Sequence, residues 1–247
     1  MSGRLILRAW WPALVLVVIG GVGYAELLDS VEDQEWLWSL DDPILEFFAA
    51  HRSGALTTFM VAVSWVFGPV VLPILVALGG AVWGWRTRQW FNVCVLVGSM
   101  AFAGLLSLVL KYTVDRPRPP EEFWQEPGGT HTPSFPSGHT LCAATFVLVT
   151  GYLAWRTDRS LKVLLWWSLV SVVVIGMVAL SRLYLGYHFL TDVVAGFFAA
   201  LTVLGVAVGV VRTHDFRDDG PHGESAAAHG ESAAPAAPAA PAAPTGE

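Results

Sequence analysis

Charge is what this chain has least of. Only 14% of its 247 residues are charged, against about 25% in an ordinary soluble domain. A soluble globule must cover its surface with charge, so a typical soluble domain is excluded. Bases are the scarcer sign, with 14 Lys and Arg against 20 Asp and Glu and a net charge of −6. That excludes a nucleic-acid binder with a basic footprint. Two cysteines cannot build a disulfide-rich secreted scaffold. Cys94 and Cys142 both lie in apolar runs and read as small buried residues. Alternation of apolar and polar residues is also missing, so spanning strands are not expected.

What remains is apolar sequence, 54% of the residues, with a mean hydropathy of +0.55. Charge-free runs cover residues 9–25, 53–85, 89–110, 140–155, 163–181 and 193–211. A spanning helix needs about 20 mostly apolar residues. The 53–85 run is too long for one span, and Gly68-Pro69 supplies a break because proline disfavours helix at the residue before it. The expectation is a surface or re-entrant helix over about 55–67 and a span over about 69–85. The fold class is then all-α, a polytopic membrane bundle of six transmembrane helices.

Basic residues orient the bundle. With the N-terminus inside, the inner segments hold nine bases and the outer segments five (Arg52, Lys111, Arg116, Arg118 and Arg182). The first outer segment, 26–46, carries eight acids. Both termini are therefore expected in the cytoplasm. Trp10, Trp11, Trp83, Trp85, Trp90 and Trp155 fall at inner ends, as an interfacial belt requires. The first span also has the marks of a signal peptide, with Arg4 and Arg8 before the apolar stretch and small residues at Gly23 and Ala25. Its length and its leading tryptophans favour an uncleaved span. The membrane domain is expected over 1–213. The remainder, 214–247, carries six acids and one base, repeats HGESAA and ends in Pro/Ala repeats. It reads as a disordered cytoplasmic tail.

Ionisable residues beside transmembrane segments are costly to bury and mark functional sites. They fall in three stretches, each at an outer end: Lys111 to Pro119, Pro136 to His139, and Ser181 to Asp192. Together they offer Lys111, Arg118 and Arg182 as fixed cations, His139 and His188 as titrating groups, and Asp192 as a carboxylate. Three cations repel a metal ion and suit a tetrahedral oxyanion. Ser137 is a good N-cap for a helix whose N-terminus, with Gly138 allowing close approach, favours phosphate. His188 and Asp192 are four apart and, if helical, share a face. The carboxylate can then hold one imidazole nitrogen and leave the other for attack. Each stretch alone has a plainer reading. Lys111, Arg116 and Arg118 fit interfacial snorkelling, and Arg182 fits a structural pair with Asp192.

The conjunction K-x6-R-P, P-S-G-H and S-R-x5-H-x3-D resembles the signature of the type 2 phosphatidic acid phosphatase and vanadium haloperoxidase superfamily. Lys111, Arg118 and Pro119 match the first motif, Pro136 to His139 the second, and Ser181, Arg182, His188 and Asp192 the third. The likeness covers about 57–211. Both Arg116-Pro117 and Arg118-Pro119 supply Arg-Pro, and the six-residue spacing selects Arg118. Arg116 is left as a neighbour with no assigned phosphate contact.

The resemblance implies a membrane-embedded lipid phosphatase. In it His188 is the nucleophile and forms a phosphohistidine, Asp192 orients it, and His139 is the general acid and base. Lys111, Arg118 and Arg182, with the Ser137 and Gly138 N–H groups, hold phosphate oxygens. No metal or other cofactor is implied. The implied substrate is a lipid phosphate or polyprenyl diphosphate at the outer face of the plasma membrane, with membrane lipids as the only other partners and no obligate protein partner. Three alternatives stand beside this: a lipid phosphotransferase with the same intermediate, a non-catalytic transporter, and a zinc hydrolase using His139, His188 and Asp192. The transporter is disfavoured because it would place charge at mid-span.

Overall fold

The computed structural model describes residues 3–125 and 132–218, all of them helix, turn or loop with no strand among the described residues. The helices are α1 (Gly3–Glu32), α2 (Asp41–Ala50), α3 (Gly54–Val66), α4 (Val71–Thr87), α5 (Trp90–Val114), α6 (Gly138–Thr157), α7 (Leu161–Tyr184) and α8 (Leu190–Asp218). Five of them (α1, α5, α6, α7 and α8) are long and apolar enough to cross a bilayer alone. The sixth candidate is a pair: α3 and α4 pass only together and are bent by 55° about the Gly68-Pro69 break, as a broken span or a re-entrant pair. With 17 residues, α4 rises only about 26 Å, so the expected span over 69–85 is long enough only together with α3.

Helix ends follow local sequence. Ser137 and Ser160 sit extended before α6 and α7, and their hydroxyls accept from the amides of Thr140 and Val163. Such caps satisfy donors that the first turn leaves without partners. Helix α5 stops at Asp115, which turns left-handed with φ 50° just before the Arg116-Pro117 pair.

The bundle is built around α8, which buries 61% of its apolar window, whereas α7 buries 11% and faces outward. Helix α1 runs antiparallel to α8, with Trp10 against Gly209, Gly20 against Thr202 and Phe198 against Gly23. Small residues let these backbones meet, as lipid-immersed helices require. A Cβ on Gly205 would lie 2.8 Å from the Ala13 carbonyl oxygen. A core of Leu72, Val76, Leu96, Met100, Val149, Leu153 and Val211 joins α4, α5, α6 and α8.

Two expectations change, and the acidic segment after the first apolar run is largely helical. α1 continues to Glu32, and α2 follows with Asp41 and Leu45 buried. The segment from 214 is helical as far as Asp218, because Arg156 pairs with Asp215 and His214 stacks on Phe91 at 3.8 Å. The rest of the expected tail lies outside the described residues. Cys142 is half-buried, but Cys94 faces outward from α5 rather than into the core.

Gly205→Leu is expected to weaken the α1–α8 contact by about 1–3 kcal/mol through overpacking. Gly21, which has nothing within 4 Å of a built Cβ, provides the control. Thermal melting of both leucine variants in detergent checks this, with Gly205→Leu melting earlier and Gly21→Leu unchanged.

Candidate active site

The three polar stretches meet at one end of the bundle: the last turns of α5 and α7, and the first turns of α6 and α8. Helix α5 delivers Lys111 in its final turn, and the loop after it delivers Arg116 and Arg118. Helix α6 delivers Gly138 and His139 in its first turn. The turn between α7 and α8 delivers His188. That turn depends on Gly186, whose φ is +78°. A Cβ there would lie 2.0 Å from the Phe123 carbonyl oxygen, so only glycine fits. Arg52 pins the same place by donating to the carbonyls of Tyr184 (3.0 Å) and Phe123 (2.6 Å).

A cavity of about 330 Å³ opens here, lined by Lys111, Arg118, His139 and His188 among its polar groups. Phe67, Leu108 and Cys142 contribute apolar wall. Lys111 Nζ donates to the carbonyl oxygens of Pro133 and Ser134. Arg118 donates through Nε to the Thr132 carbonyl (2.8 Å) and through Nη1 to the Tyr187 carbonyl (2.9 Å). His139 Nε2 lies beside Gly68, within 3.6 Å of where a Cβ would stand. The α3–α4 break thus passes directly against the second imidazole.

His188 is 1% exposed and Asp192 is fully buried. His188 Nδ1 is 3.1 Å from Asp192 Oδ2. Its other nitrogen, Nε2, is 3.4 Å from Arg118 Nη1. A guanidinium has no lone pair to offer, so Nε2 faces it as an acceptor and the ring proton sits on Nδ1, toward the carboxylate. The nitrogen on the cavity side therefore keeps a lone pair. Burial holds the His188 imidazolium well below the usual histidine range. The positive charges of Arg118, Arg182 and Lys111 push it lower still.

Two expected oxyanion holders sit differently from the sequence reading. The Ser137 N–H donates to the Asp192 carbonyl oxygen at 2.9 Å, so it is spent on joining α6 to α8. The helix-start amides left without an intrahelical acceptor are those of Gly138 and His139. Arg182 does not line the cavity. It donates to Ser64 Oγ on α3 and lies over the Tyr187 ring at 4.6 Å. It does not pair with Asp192; that role belongs to Arg116, which donates to Asp192 Oδ1 at 2.8 Å. Arg116 reaches away from the cavity, and Arg118, chosen by spacing, reaches toward it. Asp41 and Thr191, which join Arg116, carried no sequence signal beyond being polar.

The lowered His188 value has a consequence for stability. An unfolded histidine titrates near about 6.5. Above that pH neither state is protonated and the group costs nothing. As pH falls through 6.5 toward the lower folded value, the unfolded state takes up a proton that the folded state refuses, and stability is lost. Side-chain NMR of the detergent-solubilised protein is expected to show His188 still neutral at pH 6.5. Half-protonation there would contradict the assignment.

Comparison with known proteins now adds to the geometry. Residues 92–216 match the family model of the PAP2 superfamily. The chain is 30% identical to phosphatidylglycerophosphatase B of Bacillus subtilis (strain 168) over 143 residues, 56% of this chain and 66% of that protein's length. Its fold is similar to the crystal structure of a transmembrane PAP2 type phosphatidylglycerolphosphate phosphatase from Bacillus subtilis. That match has a TM-score of 0.67 at 24% identity and covers 83% of this chain and 97% of the other. It is also similar to Aquifex aeolicus LpxE, with a TM-score of 0.52 at 21% identity, covering 71% and 95%. With the match taking in half the chain and all three polar stretches, this protein belongs to the PAP2 superfamily.

Proposed function

We propose that the chain is an integral-membrane phosphatase that hydrolyses a lipid phosphate or polyprenyl diphosphate through a phosphohistidine, without a metal. One observation carries the reading. A histidine tied through Nδ1 to a buried carboxylate turns Nε2 to a cavity that also holds a second histidine, a lysine and an arginine. Similarity to phosphatidylglycerophosphatase B supports a lipid phosphate as substrate.

In this reading His188 Nε2 attacks phosphorus, and the bond from phosphorus to the leaving oxygen breaks. His139 gives that oxygen a proton. His139 then takes a proton from the water that attacks the phosphohistidine, and phosphate leaves as the P–N bond breaks. Asp192 keeps the proton on Nδ1 and stabilises the charge that appears on the ring when Nε2 reacts. Lys111, Arg118 and the Gly138 amide face the phosphate oxygens. Arg182, which lies over the Tyr187 ring, adds positive charge, and Ser137 caps the helix that points its N-terminus at the anion. A metal has no good seat, since both Asp192 oxygens already accept hydrogen bonds and the cavity wall is cationic.

The topology that accompanies this reading puts the cavity on the extracytoplasmic side of the plasma membrane. Both ends of the chain lie in the cytoplasm, and 1–213 forms one membrane domain. The antiparallel course of α1 and α8, which sets Trp10 beside Gly209 at the end far from the cavity, supports a common side for the two termini.

Purified protein in detergent with a chelator present is expected to release phosphate from a panel of lipid phosphates and diphosphates. His188→Ala is expected to abolish release while the protein keeps its helical circular dichroism and elution volume. Full activity in that variant would remove the nucleophile. Activity lost in chelator and restored by a divalent metal would remove the metal-free chemistry. Turnover against pH is expected to be bell-shaped, because His188 must be neutral and His139 protonated. A flat profile over roughly pH 5 to 9 contradicts that division of roles.

A further inference from the structure

A second buried carboxylate, from outside the family match, reaches toward the histidine. Asp41 stands in the first turn of α2 and is 2% exposed, whereas its neighbour Asp42 faces outward. A first-turn acid ordinarily serves its own helix from the surface, and Asp42 is placed to do so. Asp41 is turned inward instead. Its Oδ1 accepts from the Thr191 amide at 2.9 Å. Its Oδ2 accepts from Thr191 Oγ1 at 2.6 Å and from Arg116 Nη2 at 2.8 Å. The other arm of Arg116, Nη1, donates to Asp192 Oδ1 at 2.8 Å and to Thr191 Oγ1 at 2.7 Å. Asp192 Oδ2 in turn holds His188 Nδ1. The chain of contacts is Asp41, Arg116, Asp192, His188, and every member is under 9% exposed.

We propose that Asp41 and Arg116 are positioning residues for His188, acting through Asp192. A guanidinium is a rigid planar fork. With Nη2 held by Asp41 and the plane set over the Phe189 ring at 4.4 Å, Nη1 meets Asp192 in one orientation. That orientation presents Oδ2 to the imidazole. The charges matter as well. One Arg116 against Asp192 alone would neutralise the carboxylate and weaken its hold on an imidazolium or phosphohistidine. A second carboxylate on the same guanidinium shares its positive charge and leaves Asp192 the anion that His188 needs. The ionisable groups around His188 are Asp192 from α8, Lys111 from α5, Arg116 and Arg118 from the following loop, His139 from α6 and Arg182 from α7. Four of these are fixed cations and one is a carboxylate, so Asp41 is the nearby negative charge whose removal tilts the balance further toward positive.

The inference rests on the phosphohistidine reading, and the test separates the two. Asp41→Asn is expected to lower kcat by about 10- to 100-fold with KM little changed, as loss of positioning does. Removing a negative charge disfavours the His188 imidazolium, so the acid limb of the pH profile is expected to move to lower pH. Asp41→Glu is expected to return that limb to its wild-type position. A purely structural Asp41 would lower the melting temperature and leave the limb where it was, and that result overturns the proposal. So does a kcat at the wild-type level. If Asp41→Asn fails to fold, Thr191→Val is read instead. It cuts the hydroxyl link and keeps both charges, so a lower kcat with an unmoved limb is expected and a wild-type kcat overturns the proposal. His188→Ala runs alongside. Activity in that variant removes the phosphohistidine reading itself, and this inference with it. An inactive His188→Ala beside a wild-type Asp41→Asn removes this inference alone.

Discussion

Asp192 is a fully buried carboxylate, and the arrangement of the site follows from the need to satisfy it. Taking an ion of that size out of water costs several kcal/mol even after the protein relaxes. The cost is offset only if each oxygen finds donors. Oδ1 takes Arg116, and Oδ2 takes His188 and the Phe189 amide. Its backbone carbonyl takes the Ser137 amide and so locks the start of α6 to the start of α8. One residue therefore gathers the loop after α5, the N-terminus of α6 and the α7–α8 turn. Those three places, together with the last turn of α5 that carries Lys111, supply the cavity's polar wall.

The cavity is an electrostatic device before it is a shape. Lys111 and Arg118 line it, Arg182 lies over the Tyr187 ring, and the start of α6 contributes Gly138 and His139 to the wall. Like charges this close repel one another. Main-chain carbonyls accept from them and offset part of that repulsion: Pro133 and Ser134 for Lys111, Thr132 and Tyr187 for Arg118. An arriving phosphoryl group would exchange these neutral acceptors for anionic ones, which are the stronger partners. Burial first, and the same cations after it, push the His188 imidazolium well below the usual histidine range and so favour the neutral ring.

The scaffold separates mechanical from chemical duties. Small residues let α1 lie along α8, so the central helix is braced along its length while its first turn remains free to carry Asp192. The far end is tied by Arg156 and Asp215. The α3–α4 break brings Phe67 and Pro69 to the cavity wall and Gly68 against His139. It thereby sets apolar surface beside the cavity's polar groups.

Much of this was legible in the residues alone. Apolar runs of bilayer length leave helices as the only way to satisfy backbone hydrogen bonds in lipid, so the bundle and its break at Gly68-Pro69 followed from composition. The spacing of the resembled family signature selected Arg118 over Arg116, and the four-residue interval, a local relation, paired His188 with Asp192. What sequence could not supply were contacts between distant segments. Asp41 was one acid among eight in the first outer segment, and Arg116 was a neighbour with no assigned contact. Ser137 and Arg182 were expected to hold anions, yet one amide is spent on Asp192 and one guanidinium lies against Ser64 and Tyr187. Which donor meets which acceptor depends on how whole helices pack, and no spacing along the chain encodes that geometry.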